Sequence, residues 1–192
     1  MRKNINIIGI SCYYHDSAAT LVQNGNVINA IQEERLTRIK HDSSFPTNSI
    51  KKILEINNLS LKEIDYFVFY EKPFVKFERL MDTYVSFAPN GIKSYLKSMP
   101  LWIGEKLFQK KNLISQLNKI EKIKNIEKKL KFSEHHLSHA ASAFYPSPFS
   151  EAVILTIDGV GEKVTTSIAV GKDSDISIKK EIHFPHSLGL LY

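Results

Sequence analysis

The sequence predicts an α/β protein in which one pattern is used twice: three strands, a set of helices, then three strands again. Residues 4–12 (Asn-Ile-Asn-Ile-Ile-Gly-Ile-Ser-Cys) form an apolar, β-rich run of the kind found in a central strand. Residues 152–157 have the same character late in the chain. Each run ends in a polar turn and is followed by a strand of small and β-branched residues, Ser17 to Val22 in the first case and Val164 to Val170 in the second. Between them, apolar residues recur at spacings of three and four, the signature of amphipathic helices. A duplicated nucleotide-binding fold, each first turn facing a central cleft, would have this form.

Within the first copy, Ser17 to Val22 and Val27 to Glu33 flank Asn24-Gly25, a two-residue hairpin turn in which both central positions tolerate positive φ. Thr47 caps a helix carrying Ile50, Ile53, Leu54 and Asn57, and Asp65 to Tyr70 is a further buried strand. Phe77, Leu80, Met81, Tyr84, Val85 and Ala88 define a helix that stops at Pro89-Asn90-Gly91. Ile92, Tyr95, Leu96 and Met99 define another, ended by Pro100, and more helix runs on to Lys131. The aromatic and methionine side chains on these helices read as packing rather than as a cofactor box. A helix follows from Ser133, then strands at 152–158, 164–170 and 176–182. The first lobe is expected at about 1–145, with a helical insertion at about 75–131, and the start of a second lobe at about 150–192. The end of the chain, apolar and without a helix stop, reads as a truncation of that second lobe.

At 192 residues the chain suffices for one substantial domain or two small lobes. It has no run of 18 apolar residues, and Met1-Arg2-Lys3-Asn4 leads into a strand, so neither a membrane span nor a signal peptide is expected. A single cysteine, Cys12, excludes an internal disulfide, suits a reducing cytoplasm, and reads as a buried thiol. The formal charge of +6 is concentrated between Glu105 and Lys131, where nine lysines oppose three glutamates. These lysines alternate with Leu107, Leu113, Leu117, Ile120, Ile123, Ile126 and Leu130, and the segment brings no arginine and, in Phe108, a single aromatic. It therefore reads as a solvated helical face rather than a nucleic-acid site, with an anionic partner or a membrane surface as the lesser alternative.

The chemistry-bearing residues lie in two blocks. In Ser133-Glu134-His135-His136-Leu137-Ser138-His139-Ala140-Ala141-Ser142-Ala143-Phe144, the residues Leu137, Ala140, Ala141 and Phe144 fall on one helical stripe. Ser133 can cap this helix, with Glu134 in its first turn. His135 and His139 then stack one turn apart, a spacing at which two imidazoles bind one divalent metal ion. The second block, Asp158-Gly159-Val160-Gly161-Glu162, closes a buried strand with a carboxylate and two glycines. Such a turn can bring backbone N–H groups to phosphate oxygens while Asp158 faces a cation. Either block alone is common in ordinary structure; their joint occurrence across a short loop containing Pro146 and Pro148 suggests that metal and phosphate share a cleft.

Several further blocks resemble the NodU/CmcH-type O-carbamoyltransferases. They are Gly9-Ile10-Ser11 with Tyr14-His15-Asp16-Ser17-Ala18-Ala19, Glu33-Glu34-Arg35-Leu36-Thr37-Arg38 with Lys40-His41-Asp42, the histidine helix, the Asp158 turn and His186-Ser187-Leu188-Gly189, in the family's order. The resemblance implies an actin-like ATPase (ASKHA, RNase H-like) fold similar to that of the TsaD proteins. It implies a C-terminal YrdC-like domain, absent from this sequence, that makes carbamoyl adenylate from carbamoyl phosphate and ATP. It further implies transfer of the carbamoyl group to a hydroxyl of a small-molecule acceptor, commonly a sugar or antibiotic. Carried over by motif, His135, His139 and Asp158 are metal ligands, with iron as the expected ion. His15 and Asp16 match the transfer-site turn, and Lys40, Gly159, Gly161 and Glu162 the nucleotide- and substrate-binding positions. Ile39 departs from the pattern, standing where many members have a second basic residue, and the family's last metal-binding aspartate falls outside this sequence.

His15 is the expected proton acceptor, His136 is expected to be structural, and His183 and His186 are minor candidates. Two other functions fit parts of the pattern: a TsaD-type tRNA threonylcarbamoyl-transfer protein, and a nucleotide-binding domain without catalysis. The His15-Asp16 and Glu33-to-Asp42 blocks disfavour the first, and metal binding at His135 and His139 would exclude the second.

Overall fold

The computed structural model describes residues 4–102 and 108–192, which form two compact units. Residues 1–3 and 103–107, the latter part of the lysine-rich segment, lie outside the described residues. The described chain is mixed α/β, as expected, and none of its helices is long and apolar enough to cross a membrane.

The first unit comprises the described residues up to Tyr70 together with Gln109–Phe132. Its sheet has the order β3-β2-β1-β4-β5. Strands β1 (Asn6–Ser11), β2 (Ala18–Gln23) and β3 (Asn26–Gln32) form an antiparallel meander. Asn24 and Gly25 turn its hairpin at φ 50° and 88°. Strands β4 (Tyr66–Phe69) and β5 (Leu130–Phe132) add parallel to β1. Residues 130–132 are thus a strand, not the helix expected there; three residues are too few to display a period of two.

Helix α1 (Glu34–Thr37) is a single turn, and α2 (Thr47–Ile56) packs on the sheet through Ile50, Ile53 and Leu54. Helix α5 (Gln109–Ile120) adds Leu113 and Leu117 to the same core, which includes Ile8, Ile10, Leu21, Phe67 and Phe69. Each of these fully buried side chains stabilises the fold by about 1.5–3 kcal/mol. The lysines of α5 are exposed, as is Lys128 of the short helix α6 (Ile126–Lys129); Lys129 is half-buried and donates to the Lys62 and Ile64 carbonyls, while Ile123, Ile126 and Leu130 face inward. Most of the described lysines of the basic segment thus form a solvated face over a packed stripe.

The second unit comprises Glu71–Phe108 and Ser133–Tyr192. Helix α3 (Pro73–Phe87) begins on a proline, whose fixed φ suits the first helical position. It pairs with α4 (Ile92–Trp102), where the Tyr84 and Tyr95 rings meet edge-on at 4.6 Å and Tyr95 donates to the Met81 sulfur at 3.2 Å. Met81, Tyr84 and Tyr95 thus serve as packing between the two helices. Helix α4 continues past Pro100, where the sequence suggested a stop. A proline inside a helix forfeits one backbone hydrogen bond, and the neighbouring turns carry the helix across it.

Strands β6 (Glu151–Ile157), β7 (Val164–Lys172) and β8 (Asp175–His183) form a second antiparallel meander. Helix α7 (His135–Phe144) lies on one face of it. Its row His136, Ala140, Phe144 runs from polar to apolar, and the sheet matches it with Thr156 and Ser167, then Ile154 and Ala169, then Gly171. The lack of a side chain at Gly171 lets the Phe144 ring lie flat on the strand: a Cβ there would stand 2.7 Å from three ring atoms. On the opposite face Val153 and Leu155 are exposed, with Ile168 directly across from Leu155. The single turn α8 (Leu188–Leu191) ends the chain.

Candidate metal centre and histidine turn

In the second unit, His135 starts α7 and His139 follows one turn later. Their Nε2 atoms are 3.0 Å apart, and Asp158 Oδ2 lies 2.7 Å from that of His135. The sequence-predicted trio is thus brought together, one donor atom from each residue lying within 4.8 Å of the others. Two imidazole nitrogens and a carboxylate oxygen suit a mid-series divalent ion such as iron(II), whose common protein ligand set has this composition. The same contact with His135 is the main reason that the Asp158 carboxyl falls to about 2, against the opposing effect of its burial. Burial, followed by repulsion from His135, lowers the pKa of His139 and keeps its lone pair available.

The turn carrying Asp158 is held from several sides. Gly161 adopts φ 56°, and a Cβ there would collide with the Val164 carbonyl, so this position requires glycine. Gly159 is less constrained; its N–H donates to Asp158 Oδ1 at 2.7 Å, so that proton is already directed at the carboxylate. Glu162 is buried, and its carboxylate accepts the backbone N–H groups of Lys72 and, at 3.1 Å, His135. Glu162 therefore closes the N-terminus of α7 in the place where the sequence suggested Ser133, and burial raises its pKa. Residues 187–189 also serve this turn: Ser187 Oγ donates to the carbonyls of Asp158 and Gly159 and caps α8, while Gly189 passes so near the Asp158 backbone that a Cβ would collide with it.

Sequence reasoning missed Arg79. This buried residue on α3 donates from Nη1 to the carbonyls of Val160 at 3.0 Å and Gly161 at 2.8 Å, and it stands over the Phe184 ring. Its only signal was an arginine amid an apolar helical pattern, which by itself also fits a solvent-facing residue. His136 is structural, as expected: it is buried, 2.6 Å from Thr156 Oγ1, and burial lowers its pKa. His183 is exposed beside Glu181, and His186 is exposed as well.

In the first unit, His15 and Asp16 follow β1. Asp16 Oδ2 lies 2.8 Å from His15 Nδ1, and Oδ1 lies 2.9 Å from His41 Nδ1. The turn and the 38–44 loop are joined by backbone hydrogen bonds from Tyr13 N–H to the Ser43 carbonyl and from Ser17 N–H to the Asp42 carbonyl. Lys40 is exposed on that loop. Glu33 has an architectural role: buried, it accepts from the N–H and Nδ2 of Asn48 and the N–H and Oγ of Ser49, all at 2.7–2.9 Å. It, and not Thr47, caps α2; Thr47 is the first helical residue.

Comparison with known proteins agrees with these motifs. The family model described as Carbamoyltransferase N-terminus matches residues 6–192. An uncharacterized protein of Synechocystis sp. is 55% identical over 97% of this chain and 30% of its own length. Nodulation protein NolNO of Sinorhizobium fredii is 36% identical over 94% of this chain and 25% of its own. An uncharacterized protein of Methanocaldococcus jannaschii is 29% identical over 89% of this chain and 34% of its own. The chain thus spans between a quarter and about a third of the length of these relatives. With a family match across residues 6–192, and with a relative 36% identical over 94% of this chain, the chain belongs to the carbamoyltransferase N-terminus family.

Proposed function

We propose that this chain is the transfer-site part of an O-carbamoyltransferase that moves a carbamoyl group from carbamoyl adenylate to a hydroxyl of a small-molecule acceptor, commonly a sugar. The carbamoyl adenylate would come from carbamoyl phosphate and ATP. The two meanders would be the opening parts of the two halves of a duplicated actin-like ATPase fold. The observation that carries this reading is the convergence of His135, His139 and Asp158 within a member of the carbamoyltransferase N-terminus family.

These three residues would hold the metal, which when bound supplies a Lewis acid that steadies negative charge on phosphate oxygens. The protein's own residues supply the rest. In neutral His15, with Nδ1–H directed at Asp16, the free lone pair is on Nε2, positioned to accept the proton of the acceptor hydroxyl. The hydroxyl oxygen bonds to the carbamoyl carbon, and the bond from that carbon to the phosphoryl oxygen breaks with its electron pair remaining on AMP. Lys40 would attract an anionic group, and the Gly159–Gly161 turn would lie against a phosphate. Arg79 and Glu162 keep that turn and the start of α7 in register.

The test has two parts. Elemental analysis of this chain should show a bound divalent ion that is lost in both His135→Ala and His139→Ala; full stoichiometry in either variant removes the metal assignment. At full length, the protein should carbamoylate a hydroxylated acceptor when given ATP and carbamoyl phosphate. His139→Ala should abolish that step while pyrophosphate release persists. Loss of pyrophosphate release in a folded His139→Ala protein would contradict this division of labour.

A further inference from the structure

The histidine turn holds more than the one base that carbamoyl transfer needs. Asp16 has two carboxylate oxygens, and each faces the Nδ1 of a different imidazole, His15 at 2.8 Å and His41 at 2.9 Å. The hydrogen bonds from His41 and His15 hold the Asp16 carboxyl below the usual carboxylate range, so it is ionised and can only accept. Both Nδ1 atoms must therefore donate. In each neutral ring the remaining lone pair is then fixed on Nε2. One carboxylate thus sets two imidazoles in the same tautomer, and both rings are about three-fifths exposed.

His41 is held in place by its backbone as well. Its N–H donates to Glu34 Oε2 at 3.0 Å. Its neighbour Asp42 accepts from Thr37 Oγ1 and the Ser44 N–H. Tyr13, Asp16, Arg38 and His41 all adopt positive φ without being glycine, so these two loops concentrate a conformation that side-chain-bearing residues ordinarily avoid. Backbone placed at that cost, ending in two oriented lone pairs, is suited to receive hydrogen-bond donors.

The reaction offers two kinds of donor: the acceptor hydroxyl and the carbamoyl NH2 group. We propose that His41 is a second working residue of the transfer site, its Nε2 accepting a hydrogen bond from the carbamoyl NH2 while His15 Nε2 takes the hydroxyl proton; this role rests on the carbamoyl-transfer reading above. His41 would then distinguish a carbamoyl group from an acyl group that has no N–H, because such a group would leave its lone pair unpaired. No proton leaves the carbamoyl nitrogen. The one transferred proton passes from hydroxyl to His15 and on to solvent, and AMP departs with the electron pair of the broken bond.

Two measurements test this. In this chain labelled with 15N-histidine, ring nitrogen shifts should report the Nδ1–H tautomer for both His15 and His41, and Asp16→Ala should release both. An Nε2–H tautomer at either ring in the wild type overturns the shared-carboxylate arrangement. In the full-length protein, His41→Leu should lower kcat/KM for carbamoyl transfer by about tenfold or more, whereas His41→Asn, which keeps an acceptor, should recover part of it. Wild-type transfer by a folded His41→Leu protein overturns the role of His41 and leaves the carbamoyl-transfer reading intact. A wild-type protein that transfers no carbamoyl group overturns that reading and the His41 role with it.

Discussion

Replacing Gly171 with alanine should disturb the candidate metal centre from the far end of the histidine helix. The new Cβ would lie 2.7 Å from Cγ, Cδ2 and Cε2 of Phe144, where carbon atoms ordinarily meet at about 3.5–4.0 Å. Phe144 is buried beside Ala140, Ile154 and Ala169, so the ring has little room and the C-terminal end of α7 must lift by about 1 Å. The other end is tied at His135 by Glu162. His139 stands four of the nine residues from His135 to Phe144, so a lift of about 1 Å at Phe144 moves it by roughly 0.4 Å relative to His135. Metal–ligand distances tolerate about 0.2 Å. The overpacking should cost about 2 kcal/mol, a fall of about 4–8 °C in Tm, and metal affinity should drop with it. Gly9→Ala is the control: its Cβ would meet Thr20 atoms only at 4.0 Å, and its Tm should stay close to wild type. Differential scanning calorimetry and cobalt(II) titration of both variants decide the matter. Equal Tm values for the two would refute the packing argument, and a destabilised Gly171→Ala chain with unchanged cobalt affinity would refute the lever.

Glu33→Ala should destabilise the chain by about 3–5 kcal/mol in urea unfolding, since it removes a buried anionic acceptor from four donors at the start of α2; a loss below about 1 kcal/mol would refute its structural role. Stability should also fall with acidity in two stages. His136 and His139 have folded pKa values lowered by burial, so their contribution is complete above 6.5 and is lost as pH falls below it; Asp158, lowered to about 2, contributes fully above 3.8 and loses its share between there and about 2. Urea midpoints across this range should show Asp158→Asn flattening the lower stage, and an unaltered lower stage would contradict the assignment. Arg79→Ala should weaken cobalt binding by about tenfold or more, because it frees the Val160 and Gly161 carbonyls and loosens the Asp158 turn; affinity within twofold of wild type would show that the turn holds without it.

Elements defined by a local period were legible in the sequence. Strand β1, the Asn24-Gly25 hairpin, the buried stripe of α2 and the β6-β7-β8 meander follow from residues within a few positions of one another. So does the stacking of His135 over His139, a property of any helix through both. Contributions from distant segments were not legible. Thr47 and Ser133 were natural caps by local rules, yet the groups that bind the first N–H groups of α2 and α7 are Glu33 and Glu162. A cap supplied from another element leaves no trace in the window that it serves. Arg79 posed the same difficulty, since its burial depends on a turn some eighty residues later. His41 lay in a block that resembles the family, and only geometry distinguished it from its neighbour Lys40.

The two chemistry-bearing sites are built on a common physical plan. In each, one aspartate engages two histidine rings as a group: Asp158 meets His135 directly and His139 through it, and Asp16 meets His15 and His41 on separate oxygens. The nitrogen involved differs, and with it the chemistry. At Asp158 the His135 Nε2 faces the carboxylate and the His139 Nε2 faces that of His135, so the three donor atoms converge on one small volume, as a cation requires. At Asp16 both turn Nδ1 toward it, so the Nε2 lone pairs are left to face outward, as hydrogen-bond donors on a substrate require. Each aspartate sits in a turn following a strand, β6 for Asp158 and β1 for Asp16, and each turn is tied to a second segment by backbone N–H groups. A strand-end carboxylate with two imidazoles can thus gather a metal or present two bases, and the choice rests on which ring nitrogen the backbone directs toward it.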